Sequence, residues 1–239
     1  FTPNNSARNA TVTVSGSGYG TYTFTWTDVN GSCTASDDVE ITFYETPTIS
    51  AGSDDEVCGF TYNLQGSKNL GDGTWTASPS SGVSFGDNTS ATSSVTVSSE
   101  NIYTFTWTVI NGTCTISEAV EVEFVGQPVA NAGSVVNECD LNATLGASTP
   151  NFGTGTWSYV AGPDNTPTFN NINNPNATVT VGQYGSYILK WKIINGICSD
   201  SANVAVNFYE QPVADAGSGS DECDLDADLA ANASVGTGT

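Results

Sequence analysis

Apolar and polar residues alternate with a two-residue period in many short stretches of this chain. The clearest runs from Tyr103 to Cys114, YTFTWTVINGTC. Tyr103, Phe105, Trp107 and Val109 fall on one side and Thr104, Thr106 and Thr108 on the other. That pattern predicts a strand with an aromatic face buried and a threonine face in water. Asn111-Gly112 follows, a dipeptide whose tolerance of φ > 0 predicts a tight hairpin turn. Cys114 opens the return strand, in which Val120, Val122 and Phe124 alternate with Glu121 and Glu123.

The unit recurs as Tyr22–Cys33, YTFTWTDVNGSC, and as Tyr187–Cys198, YILKWKIINGIC. In each copy the Trp precedes the Cys by seven residues: Trp26/Cys33, Trp107/Cys114 and Trp191/Cys198. Successive copies of this Cys are 81 and 84 residues apart, so the chain is a tandem array of modules just over 80 residues long. Residues 1–45 read as the second half of a module, 46–126 and 127–210 as complete modules, and 211–239 as the first half of a further one. The last assignment rests on Val213-Ala-Asp-Ala-Gly217 and Cys223, which repeat Val129-Ala-Asn-Ala-Gly133 and Cys139. About seven short strands per module, turn residues between them and no helical period predict an all-β fold of Ig-like β-sandwiches in series. Trp26, Trp75, Trp107, Trp157 and Trp191 are the expected core anchors, because a large aromatic buries roughly 150–250 Å².

Charge narrows the partners. The formal net charge is −21, with only Arg8, Lys68, Lys190 and Lys192 positive, which excludes nucleic acid and anionic membrane surfaces. No apolar run approaches the roughly 20 residues that span a bilayer. With neither signal peptide nor initiator Met in view, a mature or internal piece of a longer protein is expected. Histidine is absent, which removes the commonest general base and a leading zinc ligand. Paired carboxylates sit in recurring short turns with no distinct pocket implied, so an enzyme is not expected.

Six cysteines in an acidic β protein rich in Thr, Ser, Asn and Gly predict an oxidising, extracellular or cell-surface setting. Two pairings fit. One joins Cys58–Cys114 and Cys139–Cys198 within modules. The other joins Cys33–Cys58, Cys114–Cys139 and Cys198–Cys223, each pair 25 residues apart. A segment of that length, extended at about 3.3 Å per residue, far exceeds the roughly 6 Å between disulfide Cα atoms unless it folds back. Chain length therefore favours the first pairing. A loop of that size is worth roughly 4 kcal/mol by the chain-entropy argument. The constant spacing and the prolines within it predict a linker of fixed length.

Acidic residues gather where modules open, at Asp54, Asp55 and Glu56 and again at Asp221 and Glu222. Their oxygens are natural calcium ligands, and calcium between tandem sandwiches would stiffen a rod. The middle copy keeps only Glu138 as a charge, so solvated acidic turns are the plainer reading and no cofactor is otherwise expected.

The order Pro128, Cys139, Trp157, Trp191, Asn195-Gly196 and Cys198 resembles the PKD-like and Ig-like repeats of very large secreted or surface proteins of Bacteroidota. Gliding-motility adhesins and other cargo of the type IX secretion route are among them. The resemblance covers the whole chain. It implies tandem Ig-like/PKD-like modules in a rod or filament, serving as a non-catalytic stalk whose partners are the adjacent repeats. Asp200-Ser201-Ala202 resembles the short O-glycosylation motif of such proteins, which makes Ser201 a candidate modification site. Two other functions fit the sequence. One is a subunit of a self-associating multi-chain fibre, in which neighbouring copies touch. The other is a carbohydrate-binding module, which would need a platform of solvent-facing aromatics.

Overall fold

The structure, a computed structural model, describes residues 7–223 and 225–237. The parts of the sequence repeat that fall on Phe1–Ser6, Asp224, Gly238 and Thr239 lie outside it. The described chain is all-β and divides into two compact units between Phe124 and Val125.

The first unit opens with an antiparallel hairpin, β1 (Gly20–Asn30) and β2 (Cys33–Phe43). Its complete module then runs through β3 (Ile49–Ser50), β4 (Asp55–Cys58), β5 (Thr61–Asn63), β6 (Ser67–Lys68), β7 (Asp72–Ser78), β8 (Val83–Phe85), β9 (Ser94–Val97), β10 (Asn101–Asn111) and β11 (Cys114–Val125). One sheet has the order β4-β11-β10-β7, a second β5-β9-β8, and β3 pairs with β6. Between the two larger sheets lies one aromatic core. Trp75, Tyr103, Phe105, Trp107 and Phe124 are almost wholly buried there, with Leu64, Val95 and Val122.

The second unit repeats the plan with β12 (Val136–Glu138), β13 (Asn142–Thr144), β14 (Thr154–Ala161), β15 (Thr168–Phe169), β16 (Thr178–Thr180), β17 (Gly185–Asn195) and β18 (Cys198–Phe208). A four-stranded sheet, β12-β18-β17-β14, faces a three-stranded one, β13-β16-β15. This is the Ig-like sandwich arrangement. Its core holds Trp157, Tyr187, Leu189, Trp191, Val206 and Phe208. The first module's β3–β6 pair is reduced here to a single backbone hydrogen bond, Ser148 N–H to Asn131 O at 2.9 Å, because Pro150 stands where Asn69 N–H donates to Thr48 O and proline cannot donate to a ladder. Beyond Phe208 the described residues form only the short pair β19 (Ala214–Asp215) and β20 (Asn232–Ala233).

The sequence pattern maps onto the sheets directly. Along β10 every second residue from Tyr103 to Val109 is buried, and the threonines between them are half-exposed. In β17 Tyr187, Leu189, Trp191 and Ile193 do the same. Trp107 pairs across strands with Trp75, and Trp191 with Trp157. Their ring centroids lie 5.0 and 5.1 Å apart. The Gly-x-Trp motif explains how two indoles fit side by side. Gly73 and Gly155, two residues before Trp75 and Trp157, lie beneath the indole of the opposite strand. A Cβ there would stand 2.2 Å from Trp107 Cζ2 and 2.0 Å from Trp191 Cζ2.

Trp26 departs from the expected core. It is 41% exposed, although its strand repeats the sequence pattern of β10. The reason is architectural: β1 and β2 form a two-stranded sheet, and among the described residues no second sheet faces its aromatic side.

Each of the three hairpins closes through a two-residue loop, but not as the dipeptide predicted. Asn30, Asn111 and Asn195 pair directly with Cys33, Cys114 and Cys198, so each Asn is the last residue of its strand. The loop residues are Gly31-Ser32, Gly112-Thr113 and Gly196-Ile197. Only the glycines take positive φ, at 64°, 59° and 52°. Glycine at the first central position is the signature of a type II′ turn, and the asparagine side chain is left free for another task.

Candidate functional site

That task is visible where each linker enters its module. Asn111 Nδ2 donates to the Glu45 carbonyl oxygen at 2.8 Å, and Asn195 Nδ2 donates to the Gly126 carbonyl oxygen at 2.9 Å. Beside them, Cys114 Sγ lies 3.7 Å from the Tyr44 carbonyl oxygen and Cys198 Sγ 3.6 Å from that of Val125. A Cβ on Gly112 would collide with the Tyr44 ring, so the ring lies flat over the turn. Asp200 adds a second hold in the later module, where its Oδ2 accepts from Ala130 N–H at 2.8 Å and its Oδ1 from Ser201 N–H at 2.8 Å. The hairpin turn is thus a clamp on the incoming chain. A signal for it was present, an Asn before the Gly in all three copies, but it reads equally well as turn chemistry.

Asn111→Ala is expected to lower the stability of the first complete module by about 1 kcal/mol, the typical net worth of one hydrogen bond. Faster amide hydrogen exchange across residues 44–50 would accompany it. Unchanged exchange there would remove the clamp from this account.

Neither intramodule disulfide forms. Cys58 and Cys198 are disulfide-bonded, but Cys114 and Cys139, their expected partners, are free thiols, as are Cys33 and Cys223. The pairing at 25-residue spacing fails for the same reason. The cause is the direction of the first long-sheet strand. β12 runs parallel to β18, with Val136 opposite Val206 and Glu138 opposite Phe208. Cys139 therefore sits at the pole of the sandwich where β18 ends, and Cys198 at the pole where it begins. Ten residues at about 3.3 Å each separate those poles, far beyond any disulfide. In the first complete module Asp54 Oδ1 accepts from Glu121 N–H at 2.8 Å, which places the approach to β4 seven residues along β11 from Cys114. Each complete module carries one cysteine at its turn pole and one at its far pole.

The acidic turns engage their own surroundings. Asp54 holds Glu121, as described. Asp55 Oδ1 accepts from Glu56 N–H at 2.9 Å. The Tyr62 phenol is pushed up by burial first and by the neighbouring Asp55 second. Glu222 Oε1 accepts from Ser220 Oγ at 2.9 Å, while Glu56 and Asp221 are exposed. Among the described residues no three His, Cys, Asp or Glu side chains converge in a cluster suited to a metal ion. Ser201 is exposed within β18, next to the linker-holding Asp200.

A tyrosine near the start of each long strand ties back to the chain four residues earlier. Tyr22 donates to Gly18 O at 3.0 Å, Tyr103 to Ser99 O at 3.3 Å, and the Tyr187 hydroxyl lies 2.9 Å from Gln183 O. Tyr187 also lies 2.9 Å from Asp164 Oδ2. Asp164 is held below the ordinary carboxyl range, chiefly by Thr166 N–H against the opposing effect of burial, with Tyr187 and Gly182 assisting. Burial, then Asp164, pushes the Tyr187 phenol up. A depressed carboxyl contributes stability that is complete above its unfolded value and lost as pH falls through the folded one. A raised phenol contributes stability that is complete below pH 10, its unfolded value, and lost as pH climbs through the folded one. The melting-temperature gap between the wild-type chain and Asp164→Asn is therefore expected to be flat from about pH 5 to 9. It should close below about pH 4 and again above about pH 10. A gap independent of pH would show that the pair carries no linkage.

No protein-family model matches the chain, and no curated protein matches it. Among solved structures it is similar to the insect immune protein hemolin, at 13% identity over 78% of this chain and 56% of that one, with a TM-score of 0.48. It is similar to the I-band fragment I67-I69 from titin at 14% identity, over 79% of this chain and 74% of that one, with a TM-score of 0.49. Extracellular domains 3–5 of Drosophila OTK are similar at 11% identity, over 80% of this chain and 71% of that one, with a TM-score of 0.47. The chain spans just over half the length of hemolin.

Proposed function

We propose that this chain is a structural tandem-repeat segment of a long extracellular or cell-surface filament of the adhesin-like kind. It would hold a distal functional part away from the cell, in the manner of the PKD-like repeats of Bacteroidota surface proteins that its sequence resembles. The observation that carries this reading is the repeated linker clamp. Asn111 on Glu45 and Asn195 on Gly126 secure successive linkers in the same way. A linker held at its base by side-chain and ring contacts yields less under load than a free one. The cores support the same reading, because the large aromatics of both complete modules are spent on packing. A net charge of −21 keeps neighbouring stalks apart.

Antibody to residues 46–210 should label intact cells of the source organism, and mild protease shaving should remove the label. In single-molecule pulling, each complete module should unfold as a separate event releasing roughly 28 nm, from about 80 residues at about 3.5 Å each. Labelling that appears only after the cells are opened would overturn the surface assignment. Gradual extension without discrete events would overturn the mechanical one.

A further inference from the structure

The dipeptide Asn-Gly occurs at Asn30-Gly31, Asn111-Gly112 and Asn195-Gly196 and nowhere else in the chain, each time where a long strand ends. The side-chain amide of an asparagine is open to attack by the backbone nitrogen of the next residue. Glycine puts no side chain beside that nitrogen and leaves the chain around it free to turn. In the two complete modules the linker controls this reaction. Asn111 and Asn195 are half-buried, and their amide nitrogens are engaged, on Glu45 O at 2.8 Å and on Gly126 O at 2.9 Å. Over the earlier turn the Tyr44 ring also covers Gly112. Its Cδ1, Cε1 and Cε2 all lie 2.4 Å from where a Cβ on Gly112 would stand. The attacking nitrogen and its target are held while the linker is seated, and both are released when it lifts.

We propose that Asn111 and Asn195 are deamidation sites gated by their own linkers, so that each clamp is lost irreversibly in proportion to the time it has spent open. In the open state the Gly112 nitrogen attacks Asn111 Cγ. A C–N bond forms, the Cγ–Nδ2 bond breaks, and the proton of the glycine N–H leaves with Nδ2 as ammonia. The product is a cyclic imide. Water adds to one of its carbonyl carbons and opens the ring, returning a proton to the nitrogen. The carboxyl group so formed ionises, and ammonia takes up its proton. No electron is transferred, and water is the co-reactant. Opening at Cγ gives aspartate. Opening at the main-chain carbonyl gives isoaspartate, which routes the backbone through an extra methylene.

Either product ends the clamp. The donor that faced Glu45 O becomes a carboxylate oxygen, so an acceptor meets an acceptor, and the carbonyl loses its partner. A negative charge is added to a chain already at −21. Isoaspartate also displaces the pairing of Asn111 with Cys114, which sets the register of the hairpin. Reaction at Asn195 acts on Gly126 in the same way. On the stalk reading, load that lifts a linker lengthens the time its asparagine is open to attack, and clamped linkers turn free with wear.

The chemistry does not depend on the stalk reading, which survives with both residues inert. The test is to incubate the folded 239-residue chain in mildly alkaline buffer beside the same chain unfolded in denaturant. Acid-directed proteolysis and mass spectrometry then separate the asparagine, aspartate and isoaspartate peptides. In the unfolded chain Asn111 and Asn195 should convert well ahead of Asn142 and Asn176, whose next residue is alanine. In the folded chain both should convert at least about five-fold more slowly than that, the factor that one hydrogen bond of ordinary strength supplies. Tyr44→Ala, at an exposed linker position, should hasten Asn111 severalfold and leave Asn195 as it was. Asn111→Asp, made as the product, should raise amide hydrogen exchange across residues 44–50. Equal rates in the folded and unfolded chains would overturn the proposal. So would a folded chain that shows no conversion when the unfolded one has fully reacted. A Tyr44→Ala chain in which Asn111 reacts at the wild-type rate, or Asn111→Asp with wild-type exchange, would overturn it too.

Discussion

Gly155→Ala is expected to destabilise the later module by about 3 kcal/mol or more, the upper range for forcing extra volume into a packed core. The added methyl would lie 2.0 Å from Trp191 Cζ2, well inside contact distance. The indole has nowhere to retreat, since it is fully buried and Trp157 stands 5.1 Å away on its flank. For a module of this size each kcal/mol moves the melting temperature by roughly 4–8 °C, so a drop beyond 10 °C is expected by calorimetry. Gly73→Ala should act on the earlier module in the same way, because its Cβ would stand 2.2 Å from Trp107. Gly146→Ala is the control. A Cβ there meets nothing within 4 Å, so it should be neutral or slightly stabilising through the unfolded chain. If Gly155→Ala and Gly146→Ala melted alike, the indole would not be lying over the glycine.

That glycine illustrates what the sequence discloses and what it withholds. The period-2 pattern at Tyr103–Val109 and Tyr187–Ile193 announced long strands with a buried aromatic side, and those residues line the two cores. Such a pattern is local, and a pleated strand converts it into faces without further information. The second glycine of Gly153-Thr-Gly-Thr-Trp157 carries no periodic signal, yet it serves a neighbour on another strand. Trp26 fails as a core residue for the same reason: its own strand is right, and among the described residues no sheet lies over it. The cysteines failed because the parallel run of β12 along β18 decides which pole each one reaches. Nothing within a few residues of Cys139 records that direction. Asn111 and Asn195 were recognised as special, but their work is done on a linker some 70 residues earlier in the chain, which no local rule exposes.

The two tryptophan pairs make a further large effect measurable, and they differ in one atom's fate. Trp75→Ala and Trp157→Ala are each expected to cost about 3–5 kcal/mol, since each removes a nearly fully buried indole from a core that cannot close over the space. The milder change to Phe separates the copies. Trp107 Nε1 donates to Ser67 O at 3.2 Å, a carbonyl on β6. Trp191 Nε1, in the later module, is buried with no acceptor. Replacing Trp107 by Phe loses volume and a hydrogen bond, and it leaves the Ser67 carbonyl without that donor. Replacing Trp191 by Phe loses similar volume but relieves an unpaired buried N–H, whose burial costs about 1–3 kcal/mol. Trp107→Phe should therefore be the more destabilising by about 1–3 kcal/mol, read from module-resolved hydrogen exchange under native conditions. Equal losses would mean that the Trp191 indole has found an acceptor.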